Sequence, residues 1–387
     1  MNKIKTLSLL IIILITSGIQ AQNDSITSPS KKKGKISMRD PVDNSFDLSS
    51  FLLEHRGLLP VPMIITEPAV GYGGGGALLY FHTRKKEYKT YVPPNVSGIA
   101  GFGTENKTWG AGAFHSHIFG ENRVRTITAV FKPDVWINYY GNNNPILSKN
   151  PINLNMDAWL IYQSVQYRLS TSKFYIGASY LYFNNQMRID TIPGKPLVNE
   201  IIKRLEKKSV ISTLKPMIEY DSRDNVFTPT KGIDAILAYN YSAKWLGADE
   251  DYGVIDTDIK GFVPFGDKTY STWKFTGSYL VGDAPFYAYP FIQMRGIPAM
   301  RYQSDNVMVA ETEWRYNVYK RWSLVGFTGA GKAFQSFDTF EEIDWAYTIG
   351  TGFRYEIARM LGVHMGTDFA WGNGEDFAFY IVFGSSF

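Results

Sequence analysis

From about residue 60 onward, apolar and polar side chains alternate with a period of two. In 345–356, Trp345, Tyr347, Ile349, Thr351, Phe353 and Tyr355 fall on one face. Ala346, Thr348, Gly350, Gly352, Arg354 and Glu356 fall on the other. In 309–318, Ala310, Thr312, Trp314, Tyr316 and Val318 oppose Glu311, Glu313, Arg315 and Asn317. Segments 233–242 and 363–371 repeat the pattern. Such periodicity marks strands with two unlike faces. Parsing the chain on it predicts sixteen strands, at 60–66, 71–82, 94–104, 107–118, 123–138, 154–169, 173–186, 209–221, 231–243, 252–264, 269–282, 307–319, 322–333, 343–357, 360–371 and 376–387.

Two environments produce this alternation. A soluble sandwich buries its apolar face, whereas a membrane barrel turns that face to lipid and its polar face to the lumen. The strands here are long, about 10 to 13 residues, as a tilted membrane strand requires. Their polar faces carry Gly, Ser, Thr and paired charges. Tight joints at 120–122, 170–172, 265–267, 320–321 and 358–359 fall on one side, and long ones at 139–153, 187–208 and 283–306 on the other. That asymmetry and the even strand number predict an all-β, sixteen-stranded antiparallel transmembrane β-barrel with both ends on the short-turn side.

The N-terminus adds an address. Lys3 and Lys5 precede an apolar stretch, Leu7 to Ile15, followed by Ser17, Gly18 and Ala21. This reads as a signal peptide over 1–21, its apolar core being too short for a spanning helix. Residues 22–59 read as a linker, Ser/Lys/Thr/Pro-rich over 23–37, with one short amphipathic helix over 46–55. The barrel takes 60–387. Within the 187–208 joint, Leu197–Lys208 is rich in helix formers.

Composition agrees with a β-protein: 25 Tyr, 25 Phe and 9 Trp bring aromatics to 15%, beside 35 Gly. There is no cysteine, which excludes disulfides, thiol catalysis and cysteine metal sites. A net charge of +4 over 387 residues implies no nucleic-acid partner.

Four segments carry a resemblance. Asp221-Ser-Arg-Asp-Asn-Val-Phe-Thr-Pro-Thr-Lys-Gly232 resembles a D-x-R-D-N-x-x-x-P-T-x-G turn. Met294-Arg295-Gly296-Ile297 resembles a (V/I)-R-G-(F/Y) loop tip. Gly350-Thr-Gly-Phe-Arg-Tyr355 and Gly366-Thr-Asp-Phe-Ala-Trp-Gly372 resemble two motif strands. In this order they resemble the BamA/TamA family of bacterial surface antigens. The resemblance implies an outer-membrane location and a part in outer-membrane protein insertion or translocation. It implies outer-membrane lipids, the assembly machinery and other outer-membrane proteins as partners. Phe387, the last residue, resembles the C-terminal assembly signal of such barrels. Two departures stand out. The family's POTRA domains, about 75 residues each, do not fit within 22–59. Phe327-Thr-Gly-Ala-Gly331 has Gly329 where the family often has an Asp.

No catalytic constellation is present: no G-x-S-x-G, H-E-x-x-H or phosphate loop. The chain therefore reads as a non-enzyme without cofactor. His115 and His117 share a strand face and suit either a metal or ordinary barrel positions. Asp221, Arg223, Asp224, Pro229 and Gly232 read as turn chemistry. Arg295 stands out: the resemblance implies that its loop folds into the lumen, where a charge needs a partner. Glu313, then Glu311, on the lumen face of the following strand are the expected partners, with Gly296 letting the backbone turn. Pro60 and Pro62 in the first strand and Gly384 in the last suit either a simple strand start or a weakly bonded seam. A passive diffusion pore and a structural, lipid-perturbing barrel stand as rival functions.

Overall fold

The structure, a computed structural model, describes residues 37–50, 58–66, 70–82, 95–140, 151–189, 208–225, 228–374 and 376–384. The leader over 1–21, residues 197–207 and Phe387 lie outside them.

Sixteen strands follow in chain order: β1 (Leu58–Ile65), β2 (Gly73–Phe81), β3 (Val96–Thr104), β4 (Trp109–Phe119), β5 (Val124–Tyr139), β6 (Ile152–Arg168), β7 (Phe174–Ile189), β8 (Lys208–Asp221), β9 (Gly232–Ser242), β10 (Tyr252–Phe265), β11 (Thr269–Val281), β12 (Asn306–Tyr319), β13 (Trp322–Phe334), β14 (Ala346–Ala358), β15 (Val363–Gly372) and β16 (Asp376–Phe383). Each pairs antiparallel with its sequence neighbour, so the sheet order is the chain order. Strand starts lie within three residues of the positions predicted from alternation. β1 and β16 come side by side, but among the described residues no ladder joins them. Both have only 8 residues, against 16 to 17 in β5, β6 and β7.

The outward faces are exposed and apolar: Ile99, Trp159, Leu237, Trp273, Tyr347 and Ile349 are examples. No helix among the described residues is long and apolar enough to cross a membrane. Two expectations need correction. First, joint length does not sort the two ends cleanly. The short joints 105–108 and 373–375 share the end that carries the long loops, while 82–95 lies at the short-turn end. Second, the inward face is not uniformly polar. Phe131, Leu154, Met156, Leu160 and Phe183 of β5, β6 and β7 are buried inside and pack on one another.

The helix expected over 46–55 also needs correction at its start. Phe46 forms a bridge with Arg39, and Leu48 donates its N–H to the Ile357 carbonyl at 2.7 Å. Helical backbone begins at Ser49, and 51–57 lie outside the described residues.

Candidate functional site

The joint between β11 and β12 explains the apolar interior. It turns at Gly282 (φ +81°) and makes a single 3-10 turn over Phe286–Ala288. It then doubles back on itself, with Phe291 bridging Gln303 and the Ile292 N–H donating to the Tyr302 carbonyl at 2.9 Å. Its side chains fill the lumen. Tyr287 and Ala288 join the β5–β8 cluster, and Phe291, Ala299 and Met300 pack on Val135 and Ile137. Ile292, Met294 and Ile297 pack on Val307, Val309, Ala333 and Ala346. Each fully buried side chain of this size contributes about 1.5–3 kcal/mol. The loop is thus held mainly by apolar burial, and its tip by charge.

At the tip, the Ile297 N–H donates to the Met294 carbonyl at 3.2 Å, and Gly296 takes φ +86°. A Cβ at Gly296 would stand 3.1 Å from the Gly372 nitrogen, and one at Gly372 would stand 2.5 Å from the Gly296 carbonyl. Two glycines therefore let the loop backbone lie directly against β15. The Gly296 N–H donates to the Tyr380 hydroxyl at 2.9 Å, and the Thr348 hydroxyl to the Arg295 carbonyl at 2.5 Å.

Arg295 Nη1 lies 2.7 Å from Glu313 Oε2 and 2.7 Å from Asp368 Oδ2. Its guanidinium carbon sits 3.5 Å from the centroid of the Phe327 ring. Arg354 grips the same Asp368 through two nitrogens, at 2.5 and 3.0 Å, and reaches to 3.8 Å from Glu313. Two arginines and two carboxylates thus form one closed network, with Asp368 fully buried. Sharing carboxylates between two cations offsets the desolvation that burying any one of these charges would cost.

Glu313 therefore lies where the sequence placed it, but Glu311 does not touch Arg295. Its carboxylate pairs with Lys274 at 2.9 Å. A Cβ at Gly329 would stand 2.6 Å from Glu311 Cγ and 3.2 Å from Met294 Sδ, so Glu311 and the loop occupy the room that Gly329 leaves. The second carboxylate comes from Asp368 instead. It and Arg354 sit in the two strand motifs already singled out, as the charged residues of those motifs' polar faces.

At the short-turn end, Arg223 bridges Asp221 at 2.9 Å and Asp234 at 3.0 Å. Asp224 Oδ1 accepts the N–H groups of Asn225, Thr230 and Lys231 at 2.9–3.2 Å. Gly232 (φ +112°) admits no side chain, since its Cβ would stand 2.4 Å from the Ser222 carbonyl. Pro229 is buried. The turn reaches across to β15, where Thr228 and His364 meet at 3.2 Å.

A second arginine cluster, not foreseen from sequence, lies at the same end. Arg321, in the β12–β13 turn, donates to Asp47 and Asp40 at 2.6 Å each and to Asp43 at 2.7 Å. Arg359, in the β14–β15 turn, bonds Asp40 with its guanidinium and donates its N–H to Asp47 at 3.0 Å. Residues 38–49 are thereby clasped to the turns. Hydrogen bonds from Arg321 pull the Asp43 carboxyl down to about 2, and those from Arg359 hold Asp40 below its ordinary value.

A sixteen-stranded antiparallel barrel with an apolar outer face and a lumen filled by its own loop is an outer-membrane barrel. A profile of the Omp85 superfamily domain matches residues 151–387, and the chain belongs to that superfamily. It resembles BamA from Haemophilus ducreyi lacking POTRA domains 1-3, with a TM-score of 0.58 and 11% identity, over 98% of this chain and 78% of that one. It also resembles CdiB from Escherichia coli (TM-score 0.60, 8% identity, 84% of this chain and 61% of that one). CdiB from Acinetobacter baumannii gives 0.57 and 11%, over 84% and 59%. The chain thus spans about three fifths of the CdiB chains. No curated protein matches the sequence.

Proposed function

We propose that this barrel takes part in inserting other proteins into the outer membrane, or in translocating them across it. The observation that carries this reading is the loop tip. Arg295 is bound to β12 and β15 at once, so the loop bars the lumen while fixing the wall that leads to β16. Free diffusion through the lumen is disfavoured by such packing. The short β1 and β16, unjoined by a ladder, offer a lateral route. In this proposal residues 1–21 direct export, 22–59 act as a periplasmic linker and Phe387 serves the assembly machinery. Lipids and other outer-membrane proteins are the partners.

Depletion of the protein followed by quantification of outer-membrane proteins tests this. A selective fall in one set of barrels or secreted proteins, not restored by Arg295→Ala, is the expected result. An unchanged census, with solute flux through reconstituted liposomes, sinks it in favour of the pore.

A further inference from the structure

The outward face of β2, β3 and β4 departs from the apolar rule at one level. Tyr80 pairs with Ser97, and Ser97 with His115, in one cross-strand row. The row below holds His82, Asn95 and His117. There the His82 N–H donates to the Asn95 carbonyl at 2.9 Å, and the Asn95 amide lies 3.2 Å from the His117 ring. The Ser97 hydroxyl sits 2.8 Å from both His82 Nε2 and His115 Nδ1, and His115 Nε2 lies 3.4 Å from His117 Nδ1. Exposed Ile99 and Leu78 above and Phe119 below share this face, which places the imidazoles on the lipid side. Phe119 borders the tight β4–β5 turn, so the ladder lies toward the periplasmic leaflet. Polar groups facing hydrocarbon are costly without a partner.

Directly above the ladder lies an apolar groove of about 660 Å³. Pro60, Pro62, Gly76, Leu78, Ile99 and Gly101 are among its lining residues. Leu78 and Ile99 form the row next to Tyr80 and Ser97, two residues or about 7 Å along the strands. The groove exists because Gly76 and Gly101 present no side chain.

We propose that this face binds one phospholipid of the periplasmic leaflet, an acyl chain in the groove and the phosphodiester on the imidazole ladder. Each imidazole carries an N–H donor, Ser97 and Asn95 add others, and a phosphodiester offers only acceptors. The row spacing matches the short link between a headgroup and its chains. The inference requires only a membrane-embedded barrel, so it stands or falls apart from the insertion role.

The test uses the full chain in detergent, titrated with dioleoylphosphatidylglycerol and followed by native mass spectrometry. Dioleoylglycerol, with the same chains and no phosphate, is the control. One phosphatidylglycerol is expected to be retained, with dioleoylglycerol at least tenfold weaker. His115→Leu/His117→Leu removes two charge-assisted bonds and is expected to weaken retention roughly tenfold or more. Gly101→Leu fills the groove from a position whose nearest neighbour to a new Cβ is 3.6 Å away, and is expected to do the same. Unheated gel migration checks that both variants remain folded barrels. Equal binding of dioleoylglycerol, retention unchanged in either variant, or retention abolished by a chelator and so owed to a metal would each overturn the proposal.

Discussion

Arg295 and Arg321 are both clamped by carboxylates, yet the two clamps differ in what can replace them. The Arg295 network lies inside the barrel, where two arginines meet two carboxylates and the surroundings are loop and wall. The Arg321 cluster sits at the mouth, where Arg321 and Arg359 meet Asp40, Asp43 and Asp47. Arg359 is 42% exposed there, and the Asp43 side chain 27%. When a partner is lost inside, the charges left behind remain buried. When one is lost at the mouth, residues 38–49 can lift into water. The same chemistry therefore serves as a fixed lock in one place and a releasable clasp in the other.

Asp368→Ala tests the lock most severely. It leaves Arg295 and Arg354 facing only Glu313, and an uncompensated buried charge costs about 3–5 kcal/mol. The expected result is a lower midpoint in urea unfolding from detergent or lipid, with the loop 283–305 open to protease. Asp368→Asn keeps the volume but is expected to lose nearly as much, because charge balance is the issue. Wild-type stability in both would mean that the network contributes nothing.

Arg295→Ala is expected to cost less, about 2–3 kcal/mol, the worth of charge-assisted bonds with Arg354 still gripping Asp368. Apolar packing of Ile292, Met294 and Ile297 keeps the rest of the loop inside. Hydrogen exchange is therefore expected to rise at 294–297 and not at 286–292. Uniform release of the whole loop would show that the arginine, rather than apolar burial, holds it.

The contrast between the two clamps also explains what could be read from sequence. Strands were legible because lipid outside and a single wall thickness impose a period of two over long segments. Arg295 and Glu313 were legible because they share a loop and the strand that follows it. Asp368 was missed because its contact spans 73 positions, although the lone carboxylate on the inward face of its strand motif was a usable signal. Glu311 was chosen for being next in line, and Lys274 beside it on β11 was overlooked. The mouth cluster gave less warning still. Arg321 and Arg359 look like ordinary turn residues, and Asp40, Asp43 and Asp47 like linker polarity. Nothing local connects positions some 270–320 apart.

At the mouth, Arg321→Ala leaves three aspartates with Arg359 alone. The expected loss of barrel stability is small, about 1–2 kcal/mol, because the segment escapes into solvent instead of keeping buried charge. Exchange over 38–49 is expected to approach that of a free peptide, with β12–β15 protected as before. A collapse of the whole barrel would erase the distinction between lock and clasp.

Acid offers the gentlest probe. A carboxyl whose folded value is lowered contributes stability that is complete above its unfolded value and is lost as pH falls through the folded one. Asp43 is lowered from 3.8 to about 2, and Asp40 is lowered as well, first by its hydrogen bond to Arg359. The clasp is therefore expected to be intact from neutral pH down to about 4, and to loosen between there and about 2. Limited proteolysis after residue 50 at pH 7, 4 and 2.5, with an acid-tolerant protease and the barrel kept in detergent, follows it. Cleavage is expected to rise only at the lowest pH, while unheated gel migration reports an intact barrel throughout. Release already at pH 5 would mean that the three aspartates are held at ordinary values, and that the arginine turns do not anchor the segment.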